Sequence, residues 1–304
     1  MKSVSILGAG KLANALAINF AKNKVTSFLW EYSEDNIPAA KAMFSEFIDS
    51  DIRDKYIHYT SDIKDVISKS PYIIVALPSE FVVKTLNDFK LELKQKEVII
   101  GAKGLGEGGN LFSDLISLDN VSFLYGPSIA SEMARGDLTG LVLSGKKPLP
   151  EFINLLQREN LRVSYTNDYI GCQLSATMKN VLLIYLGILE GIKVSENTYA
   201  YYFVHALEEL VVVGEVLGGR RETFYSLSGL GDMMLNSRNK KFGIYFGEGL
   251  SVKEIFEKMQ YEVEGYRNTK VMYDFIQKHN LECPILRQLY AILFEGLSLD
   301  SIHR

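Results

Sequence analysis

Met178-Lys179-Asn180 lies inside a long expected helix, with Ala176 and Thr177 before it and Val181-Leu-Leu-Ile184 after it. At helical spacing the neighbours of Lys179 are Ser175, Ala176, Leu182 and Leu183, so its ammonium is expected to be largely desolvated. Desolvation disfavours the charged form and moves a lysine's pKa toward neutrality, where it can act as an acid/base group. A lysine can also lay its stem on apolar surface and reach water with its ammonium. The pattern alone leaves both readings open. Near the amino terminus, Gly8-x-Gly10-x-x-Ala13 has the spacing of a dinucleotide-binding turn. The first glycine permits a tight turn, the second lets a pyrophosphate approach the backbone, and Ala13 keeps the helix close to the sheet. Lys103, in Gly101-Ala-Lys103-Gly104, stands just past a strand end, where open sheets bind ligands, although lysines are common on surface loops. Ser228-Gly-Leu-Gly-Asp232 and Ser237-Arg238-Asn239 lie close together in a loop-like region. Arg238 offers a planar fork suited to phosphate, with Asn239 as a donor beside it. Asp232 also reads as a plain helix cap, and Gly126-Pro127-Ser128 as a turn first and a site second. His58, His205, His279 and His303 are scattered, and no metal is expected.

The elements that must position these residues change style along the chain. Val4–Leu7, Val25–Trp30, Pro71–Leu77, Glu97–Gly101, Val121–Tyr125 and Thr139–Leu143 read as strands. Their near-continuous Val/Ile/Leu runs indicate cover on both faces, hence a largely parallel sheet. Leu12 to Lys22 and Ser79 to Leu93 read as helices, and Gly104 to Gly109 as a glycine-rich loop. From Tyr169 to Ile192 one long helix is expected, followed by helices and loops with no strand pattern. The predicted fold is α/β: a Rossmann-like doubly wound domain over 1–166, then an all-helical substrate-binding and catalytic domain over 167–304. That plan puts a cleft between them, at the carboxyl ends of the strands.

Composition excludes several function classes. The net charge of −4, with no basic run, argues against nucleic acid. The longest apolar stretch, Val181 to Leu189, is shorter than the ~20 residues a membrane span takes. The amino terminus shows no signal-peptide pattern, and Cys172 and Cys283 suit a reducing cytoplasm as small buried hydrophobes.

Taken in order, these motifs resemble the bacterial-type NAD(P)-dependent glycerol-3-phosphate dehydrogenases. The matching pieces are Gly8-Ala-Gly10, Leu29-Trp30, Val75-Ala-Leu-Pro-Ser79, Lys103-Gly104 and Gly126-Pro-Ser128 with Glu132 and Ala134. They continue with Lys179-Asn180, Gly229-Leu-Gly-Asp232, Ser237-Arg-Asn239 and Val263-Glu264-Gly265. The resemblance implies hydride transfer between a nicotinamide cofactor and glycerol 3-phosphate or dihydroxyacetone phosphate, supplying glycerol 3-phosphate for phospholipid synthesis. It implies that Lys179 exchanges the proton of the C2 hydroxyl, with Lys103 between substrate and nicotinamide. Asp232 would bind a substrate hydroxyl and orient Lys179. Gly126, Ser128 and Asn180 would line the substrate pocket, and Ser237, Arg238 and Asn239 would hold the phosphate. Cofactor contacts are implied for Gly8, Gly10, Lys11, Leu12, Ala13, Tyr32, Pro78, Lys103, Ala130, Arg238, Val263 and Glu264.

Four departures from the family pattern stand out. Lys11-Leu12 replaces a serine and an aromatic. Glu31-Tyr32 follows Trp30 where NADP-preferring relatives carry a basic residue, which leans the cofactor from NADP to NAD. The Asp232-to-Arg238 segment is several residues short, and Ala176-Thr-Met178 replaces the usual lead-in to the lysine. The alternatives are a related two-domain dehydrogenase for another small hydroxy compound, and a nucleotide-binding protein without catalysis. Relatives are often dimers, and Tyr199–Phe203 reads either as a homodimer patch or as core.

Overall fold

The computed structural model describes residues 2–104, 110–235 and 237–303; Leu105–Gly109, most of the expected glycine-rich loop, and Asn236 lie outside them. The chain divides into two compact units, Met1–Tyr169 and Ile170–Arg304.

The first unit is built on an eight-stranded sheet in the order β3-β2-β1-β4-β5-β6-β7-β8. The strands are β1 (Ser3–Leu7), β2 (Thr26–Trp30), β3 (Ile57–Thr60), β4 (Tyr72–Val75), β5 (Glu97–Ile100), β6 (Val121–Tyr125), β7 (Thr139–Gly145) and β8 (Leu161–Thr166). Every neighbouring pair is parallel except β6 and β7. Val4, Ile6, Leu7, Ile73, Ile74, Val75, Val98, Ile99 and Ile100 are wholly buried, as strands covered on both faces must be. Two strands were not expected, β3 and β8, and both are edges of the sheet. Helix α1 (Lys11–Lys22) is buried from Ala13 to Ala21, and its alanines let it lie close to the sheet. It is tied to α2 (Ala130–Arg135): Asn19 Nδ2 donates to the Met133 carbonyl at 3.0 Å, and Lys22 Nζ to the Ala134 carbonyl at 3.0 Å.

The second unit is helical: α3 (Tyr169–Gly191), α4 (Glu196–Val216), α5 (Arg238–Gly247), α6 (Glu264–Lys278) and α7 (Pro284–Phe294) are its longer elements. Helix α3 is apolar over a longer span than the run from Val181 suggested, with a mean hydropathy of 1.4. Length and composition alone would let it cross a membrane, but its apolar window is entirely buried inside the protein, as in a core helix. Helices α3 and α5 touch backbone to backbone along a seam of four glycines. A Cβ at Gly187 would collide with the Lys240 carbonyl, and one at Gly243 with the Ile184 carbonyl. Gly191 and Gly247 repeat the contact one turn on. Only glycine allows so close an approach.

Candidate active site

Each unit carries its own group of candidate residues. In the first, Gly8 closes the turn after β1 with φ +109°, and a Cβ there would sit 2.7 Å from the Ala76 carbonyl. Gly10 is exposed and caps α1 in an extended conformation, and as a glycine it brings no side chain of its own to the first N–H groups of the helix. A Cβ on Gly10 would meet nothing within 4 Å. A helix amino terminus with open space beside its first residue fits the pyrophosphate of a dinucleotide. Ala13 is wholly buried beneath it. Asn14, which the sequence reading passed over, fixes this turn: its Nδ2 donates to the Ala9 carbonyl at 2.6 Å and the Gly10 carbonyl at 3.1 Å. Tyr59 donates its hydroxyl to Asn14 Oδ1 at 2.6 Å, and burial pushes that phenol up to about 12. Nothing in the sequence marks it, since Asn19 is a second amide on the buried part of the same helix.

The other residues assigned to the cofactor are spread over this unit. Lys11 is exposed on the first turn of α1, and Leu12 packs against Gly101. Glu31 follows β2 and accepts from Asn36 Nδ2 at 3.2 Å. Tyr32 is 83% exposed and stands edge-on to Trp30. Pro78 is exposed at the start of the helix Ser79–Asp88, and Ala130 is half-buried at the start of α2. Past the ends of β5 and β6, Lys103 Nζ donates to the Gly126 carbonyl at 3.3 Å and Ser128 Oγ donates to the same oxygen at 3.2 Å. Gly126 adopts φ +145° there, a value that strains any other residue. Lys103, Gly126 and Ser128 therefore form one cluster.

In the second unit Lys179 is 5% exposed and Asp232 2%. Lys179 Nζ lies 2.9 Å from Asp232 Oδ2 and also donates to the Asp232 carbonyl at 3.5 Å. Of the two readings of this lysine, the buried one holds. Burying a lone ammonium costs several kcal/mol, and the carboxylate offsets that cost. Asp232 follows a π-helical turn, Leu227–Gly231, rather than the expected loop, and such turns recur at functional sites. Asn180 Nδ2 donates to Glu264 Oε2 at 3.4 Å, and Asn239 Oδ1 accepts from the Gly265 N–H at 2.9 Å. Val263, 4% exposed, caps α6 just before Glu264. These contacts bring Lys179, Asn180, Asp232, Asn239, Val263 and Glu264 onto linked elements.

Ser237-Arg238-Asn239, expected in a loop, instead opens α5. Ser237 Oγ caps the helix by accepting from the Lys240 N–H at 3.1 Å. The polar run Ser237-Arg-Asn-Lys-Lys241 hides the helix, whose buried face begins at Asn239 and Phe242. Arg238 is exposed on the first turn, its guanidinium 4.5 Å above the Tyr261 ring. Among the described residues no group of three or more His, Cys, Asp or Glu gathers as a metal site.

Residues 3–149 match the family model for the NAD-dependent glycerol-3-phosphate dehydrogenase N-terminus, and 168–304 match that for its C-terminus. A glycerol-3-phosphate dehydrogenase [NAD(P)+] of Carboxydothermus hydrogenoformans is 32% identical over 311 residues, covering 97% of this chain and 93% of its own. One from Shewanella halifaxensis is also 32% identical, covering 97% and 92%. The crystal structure of glycerol-3-phosphate dehydrogenase from Coxiella burnetii superposes with a TM-score of 0.84 at 28% identity, covering 97% of this chain and 95% of that one. Matched by both halves of the family and by relatives along nearly its whole length, the chain belongs to the NAD-dependent glycerol-3-phosphate dehydrogenases.

Proposed function

We propose that the protein interconverts sn-glycerol 3-phosphate and dihydroxyacetone phosphate with NAD or NADP, supplying glycerol 3-phosphate for phospholipid synthesis. The observation that carries this reading is the buried pair of Lys179 and Asp232 at 2.9 Å in a chain of this family. Residues 1–166 serve as the dinucleotide-binding domain and 167–304 as the helical substrate-binding and catalytic domain. The nicotinamide, when bound, gives or takes the hydride at C2. During reduction the Lys179 ammonium gives a proton to the C2 oxygen, and during oxidation the neutral amine takes it back. Asp232 holds the ammonium in place and binds a substrate hydroxyl. Lys103 brings a second cation to the charge that develops on the C2 oxygen. Ser128 and the Gly126 backbone bind the substrate, as does Asn180. Arg238, Ser237 and Asn239 hold the phosphate, where a helix amino terminus adds its own attraction for an anion. Phosphate binding remote from C2 supplies energy for orientation.

Gly8, Gly10, Lys11, Leu12, Ala13, Tyr32, Pro78, Ala130, Val263 and Glu264 contact the cofactor. Glu31, at the end of β2, repels a 2′-phosphate and turns the preference to NAD. Two buried cysteines suit a cytoplasmic enzyme. A homodimer uses the exposed stripe of α4, with Tyr201 61%, Val204 51% and Val216 48% exposed, whereas Tyr202 belongs to the core. Initial rates test the reading: dihydroxyacetone phosphate should oxidise NADH at least ~10-fold faster than NADPH, and dihydroxyacetone should be slower than its phosphate by a similar factor or more. Equal rates on dihydroxyacetone and its phosphate would remove the phosphate-binding assignment, and with it the substrate.

A further inference from the structure

We propose that Ser175 is a positioning residue for the Lys179–Asp232 pair, a role that rests on the catalytic reading of Lys179 above. Helix α3 meets the π-helical turn along one stripe, at Cys172, Ser175 and Lys179, spaced i, i+3 and i+7. Ser175 Oγ donates to the Ser228 carbonyl at 3.2 Å and shares its hydrogen with the Cys172 carbonyl at 3.1 Å. Cys172 Sγ lies 3.4 Å from Ser228 Oγ. Ser228 Oγ lies 3.0 Å from Ser226 Oγ, which donates to the Thr223 carbonyl at 2.7 Å. Cys172, Ser175 and Ser228 are all completely buried, so these bonds face no competition from water.

The Ser228 carbonyl lies four residues before Asp232, on the same turn. A bond from Ser175 to that carbonyl fixes the height of the turn along α3. It therefore fixes where the Asp232 carboxylate stands relative to an ammonium carried one helical turn beyond Ser175. With the hydroxyl gone, the turn keeps its internal caps but loses this tie to the helix. Asp232 then moves relative to Lys179, and the buried ammonium loses part of the attraction that holds its proton.

The test is Ser175→Ala, compared with wild type in dihydroxyacetone phosphate reduction from pH 6 to 10, alongside melting temperature and NADH binding. The variant should lose roughly tenfold in kcat with KM for the substrate changed less than about twofold. The alkaline limb of its rate profile, where protonated Lys179 is lost, should move to lower pH by about half a unit or more. Ser175→Cys, which keeps a weak donor of similar size, should restore part of both. A wild-type profile in Ser175→Ala, or a loss of activity that follows melting temperature with an unmoved profile, would overturn the inference. If Ser175→Ala does not fold, Ser175→Cys is read by the same two criteria. Lys179→Ala separates this failure from that of the catalytic reading: an active Lys179→Ala removes the reading itself.

Discussion

Two acids buried in the helical unit are held in different ways. Asp232 faces an ammonium, whereas Glu209, on α4, accepts the Ile285 and Leu286 N–H groups at 2.7 and 2.9 Å at the start of α7. Those bonds favour the carboxylate, but burial outweighs them and pushes Glu209 up to about 7. An acid whose native pKa is raised binds its proton more tightly folded than unfolded. Its contribution to stability is full below the ordinary carboxylate value near 4.5 and is lost as pH rises through about 7. The interval is worth about 3 kcal/mol. Glu209→Gln, neutral at every pH, should lose less stability than wild type between pH 5 and 8. Parallel denaturation midpoints for the two proteins across that range would refute this. At this scale the sequence was most legible where a residue type clashed with its surroundings. Lys179 among leucines announced itself, and its burial follows. Asn14, Ser175 and Glu209 were illegible because small polar or helix-favouring residues are ordinary in helices, and only a partner far along the chain gives them meaning.

Among elements, the strands visible in sequence were those buried on both faces, where Val, Ile and Leu run without interruption. The edges β3 and β8 were missed because one side is open. Leu161-Arg-Val-Ser-Tyr-Thr166 alternates in burial and lacks the unbroken apolar run of the inner strands. The glycine seam was hidden for the opposite reason. Gly187, Gly191, Gly243 and Gly247 look like weak points in helices until the two partners are seen to touch there. That seam sets the distance between the helix carrying Lys179 and the one that opens with Ser237, Arg238 and Asn239. Gly243→Ala should force the helices apart, lower stability by about 1–3 kcal/mol and reduce turnover at saturating cofactor. Calorimetry and rates on the purified variant check both, and an unchanged melting temperature would show that the seam tolerates a methyl group.

Across the whole molecule, the order of short motifs from Gly8 to Gly265 carried more than any single motif, and the family models match both units. The two-part plan was legible from the change of style after Tyr165, with a division found at Tyr169. The side-chain geometry was not legible: that Arg238 stacks on Tyr261, or that Lys103 and Ser128 share one carbonyl, depends on contacts between distant segments. The Lys179 ammonium is proposed to carry the proton, and the most direct measurement is single-turnover reduction of dihydroxyacetone phosphate by Lys179→Ala with NADH already bound. The rate should fall by about 10²–10⁴ while NADH affinity stays at the wild-type value. A wild-type rate in that variant would contradict the assignment of the proton to Lys179.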